Sequence, residues 1–454
     1  MKRLSLLPRS GLCLSGLCLS IVWLAGCKPS EESNVKAIVG AVLIDGTGGA
    51  PVTDSVVVVA GSKIRAVGTR ANVPIPAGSE KIDGRGKFLL PGLIDLHVHL
   101  GTTGGPGFRA ADYTRGRVET NLNQYLYFGI TSVRSIGTER DAGFAIRKDQ
   151  RDGNLSTARL FTCGRGFTAP GGHPSQEVGD IARQPATPEE ARTQVTELAA
   201  QQVDGIKIWV DDLGGKAPKI KPAAIEAILD EARKHTIPVT AHIHSLADTM
   251  HLVQNGAAGF LHMVRDTENV DPAFISRLRD LQVPFTPTLV RQELGWLYSE
   301  HPERLDDPDA ARAFEPAALA GIREEAKAQR GSAAARELFD RAKRNTRQFA
   351  AGGVPIGVGS DGGSSSDLPG LMTHREMELL IESGMSPMEV IVAATRTGAL
   401  ALKKLGEMGT IEAGKKADLL LVTANPLEDV RNLRKIHATM LDGQWVDRAG
   451  LKLK

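Results

Sequence analysis

The chain has no block of basic residues. Its 55 Lys and Arg stand against 53 Asp and Glu, for a formal charge of +2, so no cationic patch argues for nucleic acid as a partner. It has no long apolar run either. The only candidate, Gly11 to Trp23, is too short for a comfortable transmembrane helix. With Lys2, Arg3 and Arg9 ahead of it and small residues behind, it has the form of a secretory signal. Cysteine is scarce, with four in 454 residues, and Cys13 and Cys18 fall within that signal. Glycine is plentiful instead. Forty-nine of them imply many tight turns, which suits alternating strands and helices better than a helical bundle. The length fits one large domain with a small accessory domain.

The signal ends in Leu24-Ala25-Gly26-Cys27, which resembles the lipobox of bacterial lipoproteins. The resemblance implies a signal peptide over 1–26, acylation of Cys27 as the mature N-terminus, and a polar tether over 27–34. Lys28 follows where an Asp would imply inner-membrane retention, so the expected location is the outer membrane, facing the periplasm. A chance cysteine inside an ordinary signal is the alternative. With Cys27 acylated, Cys163 alone remains, and no intrachain disulfide is available in an oxidising compartment. The lipid anchor is then the expected contact with membrane.

Beyond the tether, short apolar runs alternate with turns at Ala37 to Ile44, Ser55 to Ala60, Lys63 to Val67 and Lys87 to Leu90, and suggest antiparallel strands. A matching set occupies the far end, at Ala417 to Val422, Ile436 to Leu441 and Gln444 to Val446, with Asp442-Gly443 as a hairpin turn. One β-sandwich assembled from both ends, 35–90 and 407–454, is the economical reading. Between them, over 91–406, eight strand candidates alternate with helical patterns such as Glu189 to Gln202 and Pro222 to Lys234. The strands are Gly92 to His99, Gly129 to Ile136, Arg159 to Gly166, Gly205 to Val210, Pro238 to His244, Gly259 to Val264, Pro284 to Val290 and Ile356 to Asp361. Eight such units predict an α/β fold of the (β/α)8 TIM-barrel type. The long charged connection from Val290 to Ile356 should hold extra helices at the barrel mouth.

Active sites of such barrels lie at the C-terminal ends of the strands. His97 and His99 end the first strand two residues apart, so both point to one face, and imidazole pairs of this kind are good zinc ligands. His242, His262 and Asp361 end the fifth, sixth and eighth strands. Each alone could be a satisfied core histidine or a helix cap; together they would gather on one face. Lys207 is a single cation inside the apolar strand Gly205 to Val210. It either snorkels outward from an edge or has reacted with CO₂ to give a carbamate, an anionic oxygen ligand able to bridge two metal ions.

These residues sit in a wider pattern. Asp45-Gly46-Thr47-Gly48, the run from Pro91 through Asp95 to His99, and the run from Gly409 through Gly414 to Leu419 resemble the amidohydrolase superfamily. Within it they are closest to the imidazolonepropionase-related branch with prolidase-like and carboxypeptidase-like enzymes. The resemblance implies a metal-dependent amidohydrolase acting on a small amide, such as a dipeptide or an N-acyl amino acid. It assigns His97, His99 and Asp361 to an inner ion, His242 and His262 to an outer one, and carboxylated Lys207 to both. Two divalent ions, zinc by expectation, would share a hydroxide, with Asp361 as acid–base. A homo-oligomer is expected. The rival on the same scaffold is a mononuclear deaminase or cyclic-amide hydrolase, whose members usually lack the lysine. The chain departs from the pattern at Leu261, where Glu is common, at Ser135, where Asp is common, and in having no tyrosine between Lys207 and His242. His244 could replace that tyrosine or play a structural part. His173 could contact substrate or shape a turn, and Arg134 could bind a substrate carboxylate or form a structural salt bridge.

Overall fold

The computed structural model describes residues 35–101, 113–363 and 366–454. The signal segment, Cys27 and the tether lie outside the described residues. Among the described residues no helix is long and apolar enough to cross a membrane.

The N-terminal strands are β1 (Val35–Leu43), β2 (Val52–Ala60), β3 (Lys63–Thr69), β4 (Glu80–Asp83) and β5 (Phe88–Pro91). After them come β6 (Leu93–Val98), β7 (Ile130–Gly137), β8 (Arg159–Arg165), β9 (Ile206–Trp209), β10 (Val239–His242), β11 (Gly259–Leu261) and β12 (Phe285–Thr286). The chain ends with β13 (Leu419–Val422), β14 (Ile436–Leu441) and β15 (Gln444–Trp445).

Both ends of the chain build one sheet, in the order β15-β14-β13-β5-β1-β2-β3, with β4 also beside β1. The strands are hydrogen-bonded into one continuous eight-stranded sheet, with β13 bonded on both edges, to β5 and to β14, and it folds back so that Ile64 N donates to Lys415 O, just ahead of β13. The sheet is also mixed: β4 and β5 run parallel to β1. Ile38, Leu43, Val57 and Leu89 from one end pack with Ile411, Leu419, Leu421 and Met440 from the other in a single apolar cluster. Burying these side chains together is what holds the two distant segments in one unit. The β14–β15 turn has Asp442 and Gly443 both at positive φ, the conformation that an Asp-Gly hairpin favours.

The middle of the chain supplies two parallel sheets, β6-β7-β8 and β12-β11-β10-β9. Single parallel bridges run between Phe167 and Ile208, Phe285 and Ile356, and Val98 and Gly362. The segment from Pro355 to Gly362 is not a regular strand, yet its backbone pairs with β12 on one side and with β6 on the other. Phe285 N donates to Pro355 O, and Leu96 N donates to Val358 O at 2.9 Å in each case. Near-continuous burial of β6, β7 and β9 is what a parallel sheet covered on both faces requires. The intervening helices have clear starts: Thr187, Ser245 and Asp271 cap helices Pro188–Ala200, Leu246–Gln254 and Pro272–Asp280.

The expected seventh strand is cut short. After Thr286 the backbone turns at Thr288, φ 51°, and helix Leu289–Glu293 begins. The long connection then folds as helices Leu297–Glu300, Pro308–Ala313, Pro316–Ala328 and Ala333–Ala351. Helix Leu371–Glu382 clamps it in place. Arg375 meets Glu293 through two hydrogen bonds, of 2.8 and 2.5 Å, and the buried Glu376 accepts Val290 N at 2.8 Å.

Glu376 makes the fold sensitive to pH. Burial pushes its carboxyl up to about 8, against hydrogen bonds from Val290 N and Leu289 N; the carboxylates of Asp95 and Glu293 add to the rise. The folded protein therefore holds a proton that the unfolded chain, with a carboxyl near 4.5, gives up. Stability falls as pH rises between those values, by about 1.4 kcal/mol per pH unit within the window. Glu376→Gln removes this dependence. Its melting temperature relative to wild type should rise steadily from pH 5 to pH 8, and a constant difference would contradict the buried neutral acid.

Candidate metal centre

The residues that could hold a cation lie at or just past the C-terminal ends of parallel strands, the side on which α/β folds bind ligands. His97 is in β6 and His99 just past it. Lys207 is in β9, His242 ends β10, and His262 follows β11. Asp361 belongs to the Pro355–Gly362 segment, and its N–H donates to His97 O at 2.8 Å. Asp361 and His262 both adopt positive φ, 55° and 65°, as does Thr288. Side-chain-bearing residues avoid this region, and such strain gathers where function imposes geometry.

Three imidazoles surround the Asp361 carboxylate. His97 Nε2 stands 3.0 Å and His99 Nε2 3.1 Å from Oδ1, and His262 Nε2 stands 3.9 Å from Oδ2. The contact to His97 has hydrogen-bond length, yet the ring is not aimed to form one, and its Nε2 is a buried atom without a partner. Donors ranged side by side around a single cation have this relation. His99 and His262 turn their other nitrogens to Thr138 Oγ1 (3.0 Å) and Thr288 Oγ1 (2.5 Å). Placing the ring proton there leaves Nε2 with a free lone pair, as a metal ligand requires. Burial keeps the rings neutral: it pulls His97 down to about 3, His242 to about 4, and His262 well below the ordinary range. Burial opposes ionisation of Asp361 too, but His97, His99 and His262 outweigh it and hold the acid well below its usual range.

Lys207 is fully buried and its Nζ has no hydrogen-bond partner, a costly state for an ammonium. Burial pulls its pKa down to about 7. The amine lies over the Trp209 ring, 4.8 Å from its centroid. Two glycines make the room. A Cβ at Gly137 would come within 2.4 Å of Trp209, and one at Gly166 within 2.4 Å of Trp209 and 2.9 Å of Lys207.

A second group forms beside the first. His173 Nδ1 lies 2.8 Å from Asp211 Oδ1, and His242 Nε2 lies 3.2 Å from Asp211 Oδ2. Burial would raise the Asp211 carboxyl, but the His173 and His242 imidazoles beside it outweigh that and lower it. The His242 and His262 rings, 4.2 Å apart, join the two groups. Two sets of three, His97–His99–Asp361 and His173–Asp211–His242, each bring their ligand atoms within 4.8 Å of one another. Neutral imidazoles, carboxylates and a partnerless buried amine fit divalent cations of the zinc type.

Of the three substrate contacts expected from sequence, the structure brings His173 to the site and sets the half-buried His244 at its rim, with His244 O accepting Arg265 N. Arg134 goes elsewhere. It is buried inside the sheet layer and donates to Leu96 O and Thr240 Oγ1, so its guanidinium is used up on protein acceptors. The structure adds two other cations near the centre. Arg291 Nε is 3.8 Å from Asp361 Oδ2, and Arg265, with its Nε lacking a partner, feels the charges of both Asp211 and Asp361. Sequence reasoning also passed over Asp211. Its spacing of four from Lys207 puts both on one face of an extended strand, a signal that could have been used.

This site on this scaffold belongs to a known class. Residues 88–446 match the model of the amidohydrolase family, and the chain is a member of that family of metal-dependent hydrolases. Among named relatives, it is 25% identical to the ochratoxinase of Aspergillus niger over 442 residues, covering 88% of this chain and 84% of the relative. To the imidazolonepropionase of Caulobacter vibrioides it is 24% identical, over 82% of this chain and 88% of that one. A Bifidobacterium longum structure provisionally described as a prolidase superposes with a TM-score of 0.74 at 27% identity, covering 92% and 96% of the two chains.

The tight seat of Lys207 and Trp209 is testable. Gly166→Ala should destabilise the protein by about 1–3 kcal/mol through overpacking and lower its metal content. Gly116→Ala, where an added Cβ meets nothing within 4 Å, should do neither. Urea unfolding with metal quantitation reads both effects; an innocuous Gly166→Ala would mean that Lys207 and Trp209 shift freely.

Proposed function

We propose that this protein is a two-metal amidohydrolase that cleaves the amide C–N bond of a small carboxylate-bearing substrate, such as a dipeptide or an N-acyl amino acid. On this reading the parallel strands, together with the Pro355–Gly362 segment, close a (β/α)8 barrel over 91–406. A sheet domain from 35–90 and 407–454 flanks it. The observation that carries the reading is the convergence of His97, His99, His262 and Asp361 beside a buried, partnerless Lys207.

His97, His99 and Asp361 would hold one ion, and His242 with His262 the other. Lys207, as its carbamate, would serve both. Bound there, the cations supply Lewis acidity for the substrate carbonyl and for water. The protein's own groups do the rest. Asp361 Oδ1 faces His97 and His99 at 3.0 and 3.1 Å, while Oδ2 faces His262 and Arg291 at 3.9 and 3.8 Å. That outer oxygen is free to take the proton of the attacking water and pass it to the departing amine. Arg265 and Arg291 are cations at the same rim and suit a substrate carboxylate. Lys207, buried and without a hydrogen bond, is set up to be modified, since an uncharged amine is the form that adds CO₂.

Metal removal by chelation should abolish hydrolysis of N-acyl amino acids and dipeptides, and zinc with bicarbonate should restore it. Lys207→Ala should lower kcat/KM by roughly 100-fold or more, the scale of lost catalytic groups. Arg291→Met should raise KM by about 10–100-fold for the free acid, as for a lost charged hydrogen bond, and leave the corresponding amide-capped substrate unaffected. Full activity in a chelated protein would sink the metal reading, and equal effects on both substrates would sink the carboxylate assignment.

We further propose that Cys27 is the acylated mature N-terminus and holds the enzyme at the bacterial envelope as a homo-oligomer. Intact-mass analysis of the membrane-extracted protein should find diacyl or triacyl modification on a chain starting at Cys27. A mature chain with any other start contradicts it.

A further inference from the structure

The family resemblance gives the outer ion two histidines and a carbamate, and gives Asp211 no part. The geometry around Asp211 is that of a ligand. It leaves the C-terminal end of β9 four residues beyond Lys207, on the face that also carries Trp209. Its two oxygens are divided between two imidazoles from different parts of the fold. His173, on the loop after β8, stands 2.8 Å from Oδ1, and His242, at the end of β10, stands 3.2 Å from Oδ2. His242 is buried, and its Nε2 makes no hydrogen bond with the oxygen it faces. Two donors on one tetrahedral zinc, each at about 2.1 Å, stand about 3.4 Å apart. The His242–Asp211 pair is close to that spacing, and the three ligand atoms lie within 4.8 Å of one another. Two imidazoles and one carboxylate are a donor set that zinc accepts in many hydrolases.

We infer that Asp211 and His173 join His242 as ligands of a divalent cation, so that the outer metal position of this chain carries a protein carboxylate of its own. The inference rests on the two-metal reading above. Its chemical consequence is that the outer ion no longer depends on the Lys207 carbamate as its sole anionic ligand. Asp211 neutralises one unit of its charge whether or not CO₂ is bound. Such an ion would stay in place when bicarbonate is scarce.

The test is a metal titration of the full-length mature protein. Chelated wild type, Asp211→Asn and His97→Asn are titrated with Co²⁺ by calorimetry and visible absorption, and zinc-loaded samples are counted by elemental analysis. Asp211→Asn keeps the side chain's size, and melting curves of the metal-free proteins confirm that each variant folds. The expected result is two equivalents in wild type. In Asp211→Asn one equivalent should remain tight, while the second binds at least tenfold more weakly with an altered cobalt spectrum. Retention of two equivalents at wild-type affinity in Asp211→Asn overturns the proposal, because Asp211 would then serve only to orient His173. A wild type with one equivalent refutes the two-metal reading. Asp211 as a ligand falls with it if that equivalent survives Asp211→Asn and is lost in His97→Asn, and stands if the reverse holds.

Discussion

The carboxylate of Asp95 is the point at which the first parallel strand and the returning end of the domain are tied. One oxygen accepts His97 N at 3.0 Å and Ser360 N at 3.2 Å, and the other accepts Ser360 Oγ at 2.8 Å and Thr373 Oγ1 at 2.6 Å. The first strand and the returning end of the domain, more than 260 residues apart, therefore share one fully buried acid. Its donors are the residue that carries the first ligand and the neighbour of Asp361, so both ligands take their positions from it. Burial alone pushes the Asp95 carboxyl up to about 6, even with four hydrogen bonds holding it down. A buried acid with fewer partners would be a liability; with all of them it makes the alignment specific.

The rest of the centre is costly in the same way. Three neighbouring strand ends hold non-glycine residues at positive φ, and a lysine and two histidines present buried nitrogens that bond to nothing in the protein. Left alone, these features would lower stability by several kcal/mol. Their meeting around the Asp361 carboxylate is what is expected if bound ions satisfy them. Desolvation, the largest influence on His97, His242 and His262, also keeps these imidazoles neutral and hence able to coordinate.

The helical connection after β12 bears on selectivity more than on chemistry. By ending the strand at Thr286 and starting a helix at Leu289, the chain brings Arg291 to the rim beside Asp361, and Arg375 with Glu376 pins that helix from behind. Loops positioned on a rigid scaffold are where barrels vary their substrates. Arg291 sits on a helix fixed by the buried Arg375–Glu293 pair, and Arg265 donates to Ile243 O.

Much of this architecture was legible beforehand because its signals are local. Alternation along a strand places His97 with His99 on one side, and short apolar runs bounded by Gly and Asp mark strands and the Asp442-Gly443 hairpin. The terminal runs also revealed that both ends build one β unit. Which edges meet was not legible: β13 entering between β5 and β14 is a pairing across more than three hundred residues, and hydropathy does not encode it. The same holds for the arginines. Arg134 has the pattern of a ligand-binding residue, but the direction of its side chain is decided by acceptors on Leu96 and Thr240, while Arg265 and Arg291 look like ordinary surface cations until the fold turns them inward. Sequence alone determined which chemical groups the strand ends would present, because strand periodicity is a property of the backbone itself. Tertiary structure decided which of them meet, Asp211 with His173 and His242 above all, because hydrogen bonds and desolvation depend on neighbours that only packing supplies.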